Sequence, residues 1–164
     1  MMKRLIVLLL LSAVLWGCVS PWMGLEKAFK EEKTMQIIYE LPGTSKETLF
    51  DRTLQWMNAK VIPKGGNIVY QDRTRESITA RVMTSYKNLE VPVPSRYTMR
   101  VDFKDGRIRV TCYDFEDFWG EFRKTARPVE DADFIKQLKE NAREMGDALN
   151  AYLKGGTPST DAEW

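Results

Sequence analysis

Four carboxylates crowd one short stretch of the chain: Asp114, Glu116, Asp117 and Glu121. Paired carboxylates can do acid–base work without histidine, and this chain contains no histidine at all. That absence excludes Ser-His-Asp and Cys-His catalysis and removes the commonest zinc ligand. The two cysteines, Cys18 and Cys112, are far apart in sequence and form no metal motif. Alternate residues of an extended segment point to opposite faces, so the four carboxylates are not expected to converge. An acidic surface run is the expectation and a carboxylate-based hydrolase the weaker alternative. No catalytic residue, metal or cofactor is assigned.

Basic side chains offer a different chemistry, and the segment "YTMRVDFKDGRIRVTCYDF" at 97–115 carries four of them, Arg100, Lys104, Arg107 and Arg109. Asp105-Gly106 is a type I′ hairpin signal, and a two-residue loop fixes which residues oppose each other. Lys104 then faces Arg107, Phe103 faces Ile108, Asp102 faces Arg109, Val101 faces Val110, Arg100 faces Thr111 and Met99 faces Cys112. Phe103, Val101, Met99, Ile108, Val110 and Cys112 share one face, and a slip of one residue would put all of them in water. Cys112 is thereby expected to be a small buried hydrophobe and not a nucleophile. The other face holds Arg100, Lys104, Arg109 and Tyr113, joined by Arg81 from a neighbouring strand. Arginines framed by the hydroxyls of Thr79, Thr98, Thr111 and Tyr113 can hold a phosphate or carboxylate. The plain alternative is a solvated face with an Asp102–Arg109 pair.

The N-terminus supplies an address. Lys3 and Arg4 form a positive region, residues 5–15 form an apolar one, and Gly17 precedes Cys18 in "LWGCVS". This is the pattern of a secretory leader. Its end resembles a bacterial lipobox: Leu15, Gly17 and Cys18 match, while Trp16 stands where a small or β-branched residue is usual. The resemblance implies cleavage after Gly17 and acylation of Cys18. Each buried CH₂ of an acyl chain contributes about 0.8 kcal/mol, and two or three chains hold a protein to a bilayer essentially permanently. Val19 after the cysteine implies the periplasmic face of the outer membrane. Residues 5–25 carry no charge, so an uncleaved signal anchor is the rival, and simple secretion is a third possibility. The positive end would remain inside in the anchor case, leaving the domain outside.

The remaining pattern describes one mixed domain. Residues 1–17 are the leader and 18–33 the acylated cysteine and tether, with Trp22, Leu25 and Phe29 expected to pack on the domain, the membrane interface being the alternative. The domain spans 34–154, and 155–164 is a disordered tail. A first strand at 35–41 ends at Pro42-Gly43. Thr44 and Glu47 have capping-box spacing and open a helix whose apolar members are Leu49, Phe50, Leu54, Trp56, Met57 and Val61. Pro63 and Gly65-Gly66 stop it. Strands follow at 68–71 and 78–86. "KNLEVPVPS" is expected to be an extended connector, because Pro92 and Pro94 do not belong in a central strand, with a recognition loop the alternative. After the hairpin, Phe115, Phe118, Trp119 and Phe122 cap the sheet edge or form an interaction surface. Pro128, Asp131 and Asp133 introduce a long helix with Ile135, Leu138, Ala142, Met145, Leu149 and Tyr152 on one stripe. The order is β-α-β-β-β-β-α, an α+β fold in which a curved antiparallel sheet carries both helices on one face.

From residue 34 to about 115 the chain resembles a bacterial family known only as a domain of unknown function with a TBP-like (TATA-binding-protein-like) fold. The carriers are "YELPGTSKETLFDRTLQW", "NIVYQDRTRESITARV" and "YTMRVDFKDGRIRVTCYDF". The resemblance implies a secreted or lipid-anchored setting and transfers no catalytic residue. A fold name does not imply DNA binding. Beyond Lys3 and Arg4 the chain holds 23 basic and 23 acidic residues, and a neutral protein has no general attraction for nucleic acid. The expectation is a monomeric, non-catalytic binding or scaffolding domain at the cell envelope, with an envelope protein or anionic ligand as partner.

Overall fold

A computed structural model describes residues 33–118 and 125–156. Strand β1 (Met35–Glu40) leads to helix α1 (Lys46–Lys60) and a 3₁₀ turn at Ile62–Lys64. Strands β2 (Asn67–Asp72), β3 (Ser77–Asn88), β4 (Val91–Lys104) and β5 (Arg107–Asp117) follow. A short β6 (Arg127–Pro128) precedes helix α2 (Ala132–Leu153). The sheet order is β1-β5-β4-β3-β2, antiparallel at every pairing, with β6 also against β5. The α+β architecture is as the sequence indicates, with β6 the added strand.

The β4–β5 register is the one its turn dictates, from Lys104 against Arg107 to Met99 against Cys112. The apolar set of that hairpin is buried throughout. Beyond it the ladder breaks: Thr98 opposes Tyr113 but Arg96 opposes Glu116. Asp114 and Phe115 therefore stand against Tyr97 alone, and Asp114 takes a left-handed φ of 52°. Such a bulge bends the strand and increases its twist.

Helix α1 starts one residue later than the Thr44–Glu47 spacing suggests. Ser45 is the cap, and its hydroxyl accepts from the Thr48 N–H. Thr44 is committed elsewhere, because its N–H donates to Leu41 O and its carbonyl accepts from the Gly106 N–H. Asp105 completes the junction by accepting the Lys46 N–H at 2.9 Å. The hairpin turn thus supplies a carboxylate to the positive end of the helix. Phe50 of α1 packs on Phe103 of the sheet, with ring centroids 5.3 Å apart.

Helix α2 crosses the same face of the sheet. Near its start Gln137 exchanges two hydrogen bonds with the backbone of Lys87, and Asn141 donates to Ser85 O. Near its end Asp147 accepts from the Tyr39 hydroxyl at 2.8 Å. Gly146 leaves room for that ring, since a Cβ there would lie 2.7 Å from the Tyr39 oxygen. Arg52 of α1 donates to the carbonyls of Tyr152 and Leu153, tying the helices together at the C-terminal end of α2, where Tyr152 O also accepts from the Gly155 N–H.

Pro92 and Pro94 lie inside β4, which corrects the expected connector. Phe118 N–H donates to Pro94 O, so Pro94 turns its backbone toward β5. That strand ends at Asp117, opposite Ser95. The N–H groups that the two prolines lack would have pointed past the end of β5. A central strand accommodates proline where one neighbour has run out. The β3–β4 hairpin continues to Asn88 against Val91 and closes with Leu89-Glu90, at φ of 48° and 65°. Left-handed backbone costs a non-glycine residue roughly 1–2 kcal/mol.

Several groups are held in their neutral forms. Burial and a hydrogen bond to Asp117 push the Tyr86 phenol up to about 12. Burial pushes the Cys112 thiol up to about 12. Tyr39 is raised by burial and by Asp147, and Tyr97 is raised by burial.

Two tests follow from this architecture. Replacing Ser45 by Ala should cost about 1 kcal/mol in urea unfolding, and Thr44→Ala should cost less; the reverse ranking would return the cap to Thr44. In alkali, the unfolded chain loses protons from ordinary values of 9.0 for Cys112 and 10.0 for Tyr86, while the fold retains them. Stability is then intact below pH 9 and falls as pH rises toward about 12. Tyr86→Phe should flatten that fall between pH 10 and 12 in circular-dichroism melts, and an unchanged slope would remove Tyr86 from the explanation.

Candidate functional site

With both helices on one face, the opposite face of β3, β4 and β5 has no helix over it among the described residues. Strand alternation and the hairpin register set its rows. Arg81 lies opposite Thr98, and Thr98 opposite Tyr113. Thr79 lies opposite Arg100, and Arg100 opposite Thr111. Asp102 lies opposite Arg109. The structure thus brings Arg81, Arg100, Arg109 and Tyr113 onto one surface, as the sequence indicates. Between these rows and the Asp105 turn, Lys104 and Arg107 add further positive charge.

Asp102 organises this surface, a role the sequence reading gives only as one half of a pair with Arg109. Its Oδ1 accepts from Arg100 Nε at 2.8 Å. Its Oδ2 accepts from Arg109 Nη2 at 2.9 Å and from Nε at 3.2 Å. The two guanidinium groups are about half exposed, whereas the carboxylate is mostly covered. One carboxylate therefore positions two arginines and leaves the trio with a net positive charge. The outward edges of both guanidinium groups still face water, where charge-assisted, forked hydrogen bonds to an oxyanion are available. Arg81 has no carboxylate partner among the described residues, and it is exposed. At the β2 edge of this face the Tyr70 hydroxyl donates to Asp72 at 2.7 Å. That bond raises the phenol and lowers the carboxyl.

The remaining candidates separate. Glu116 pairs with Arg96, and Arg96 also lies 5.3 Å from the centre of the Phe118 ring. Asp117 turns to the other face, where it accepts from Tyr86 at 2.9 Å and from Arg127 at 3.1 Å. Asp114 is exposed in the bulge. The carboxylates placed by the structure thus point apart, and no cluster of three or more metal-ligating side chains occurs among the described residues. Cys112 is buried. Cys18, Trp119, Glu121 and Phe122 lie outside the described residues. No helix among those residues is long and apolar enough to cross a membrane.

A concavity of about 620 Å³ opens beside β3, lined by Lys64, Met83, Tyr86, Tyr97, Asn141 and Met145 among others. It opens where β2 stops opposite Arg81, leaving the outer edge of β3 beside α2. Burial and the neighbouring charge of Lys60 lower the Lys64 amine. The Tyr97 hydroxyl is buried without a hydrogen-bond partner. Sequence alternation marks Tyr97 as a core position and gives no sign of that orphaned hydroxyl.

Comparison with known proteins agrees with this architecture. No curated protein matches the chain. A TBP-like protein from Parabacteroides distasonis superposes with a TM-score of 0.62 at 12% identity, over 76% of this chain and 94% of that one. A DUF4468 family protein from Bacteroides ovatus superposes at 0.60 with 15% identity, over 78% and 89%. These likenesses are of fold. Residues 36–117 match the family model of a domain of unknown function (DUF4468) with TBP-like fold, and with the hairpin, the helix that it caps and the open sheet all inside that span, the chain belongs to this family.

Proposed function

We propose that this chain is a lipid-anchored protein of the bacterial envelope whose domain acts by binding, without catalysis. The observation that carries the binding role is the open sheet face, on which Asp102 holds Arg100 and Arg109 side by side with Arg81 and Tyr113 one row away. A carboxylate that pre-positions two guanidinium groups lowers the entropy lost when an anion takes their free edges. The ligand class is an oxyanion carried by an envelope protein or a small molecule. The leader pattern, with Leu15, Gly17 and Cys18, supports the anchor, and the periplasmic side of the outer membrane is the proposed location.

Each half has its own experiment. Cys18→Ala should abolish labelling by a fatty-acid probe and release the protein from the membrane fraction. Unchanged retention would overturn the lipid anchor. For the binding face, crosslinkers placed on β3–β5 in cells should capture a partner. A variant with Arg81, Arg100 and Arg109 all changed to Ala should lose that product while its stability shifts by no more than about 1 kcal/mol, as expected for exposed charges. A triple variant that kept every contact would remove this face from the function.

A further inference from the structure

The β3–β4 hairpin bears two unfavourable features at one point. Both loop residues, Leu89 and Glu90, are left-handed, a conformation that Asn-Gly adopts far more readily while holding the same register. Leu89 is also 93% exposed, and Val91 beside it is 51% exposed. Neither feature contributes to closing the hairpin. Single exposed apolar side chains are ordinary, but a leucine at a strained and fully exposed tip is a conjunction that folding alone does not explain.

The direction of the tip suggests what it meets. Met35 opposes Cys112, which opposes Met99, which opposes Ala80. Strand β1 runs away from that row toward Glu40, so its N-terminal end, Met35, faces the end of the sheet toward which β3 runs to Leu89. Leu89 lies nine positions beyond Ala80, about 30 Å at the rise of a strand. Residues 19–34 can span at most roughly 55 Å. A chain fastened at Cys18 can therefore bring the Leu89 end of the sheet to the same surface.

We propose that Leu89 and Val91 dip into the lipid surface that holds the chain, as a second contact that orients the domain; this rests on the lipid anchor proposed above. The tip matches that occupant. Lys87 pairs with Glu90 at 3.1 Å, so the tip carries no net charge and needs no anionic lipid. Pro92 and Pro94 stiffen its stem. Two aliphatic side chains bind lipid weakly by themselves, but the anchor keeps their effective concentration high.

The test uses the full-length, acylated protein with Glu90→Cys carrying the environment-sensitive fluorophore NBD. Cys18 is blocked by its acyl group and Cys112 is buried, so the label reports the tip. On vesicles of phosphatidylcholine, the emission should shift to the blue and be quenched by lipid brominated in its acyl chains. Adding Leu89→Asn should abolish both signals while raising the melting temperature, because Asn relieves the backbone. A label that remains in water on firmly bound vesicles overturns the tip contact alone, even where the same tip crosslinks to an envelope protein in cells. A protein that fails to float with the vesicles overturns the anchor, and the tip contact with it.

Discussion

The two-residue turn at Asp105-Gly106 decides the rest of this domain. It sets β4 against β5 in one register, and that register assigns every side chain of the hairpin to the helix face or the open face. A one-residue slip would drive Arg100, Asp102 and Arg109 under the helices, where unpaired charge is prohibitively costly. The same turn reaches back to α1. Asp105 accepts the Lys46 amide and the Gly106 N–H donates to Thr44 O, so the helix begins where the hairpin ends. Gly106, at φ of 73°, is the position at which a side chain would be strained.

The two faces treat charge differently for one physical reason. On the open face water does most of the solvating, and a single carboxylate can serve two arginines without a closed network. Under the helices, Asp117 retains only 9% of its side-chain exposure and is held by Tyr86 and Arg127 on separate oxygens. A buried carboxylate must replace its lost hydration with directed donors. The open face can therefore change its partners at little cost in stability, whereas the Asp117 network is bound up with β6 and the stacking of Tyr86 on Phe134.

Local signals in the sequence foretell much of this. Strict alternation around Asp-Gly announces the hairpin, and the three- and four-residue spacing from Ile135 to Tyr152 announces α2. Arg81, Arg100, Arg109 and Tyr113 fall on one face because period and register alone determine it. The misplaced features depend on side-chain geometry, on competing backbone bonds and on where neighbouring strands end. Ser45 caps α1 only because Thr44 is occupied by Leu41 and Gly106. Pro92 and Pro94 enter β4 only because β5 stops first, and propensity cannot register where a neighbour ends. Asp102 shows its second partner, Arg100, only through side-chain geometry, and the Tyr97 hydroxyl gives no periodic signal at all.

The strand edges narrow where a partner could attach. Strand β3 outruns β2 by seven residues, and an uncovered edge of that length is a template for another strand. Helix α2 closes part of it with amide side chains: Gln137 satisfies both backbone groups of Lys87, and Asn141 takes Ser85 O. Each amide does the work of one residue of an added strand, yet offers no continuous ladder to a newcomer. Strand β2 is irregular between Ile68 and Tyr70, which disturbs pairing at its own end of the sheet. Main-chain augmentation is thus discouraged at β3 and β2. On the open face of β3, β4 and β5, Asp102 fixes Arg100 and Arg109 while both guanidinium groups stay about half exposed.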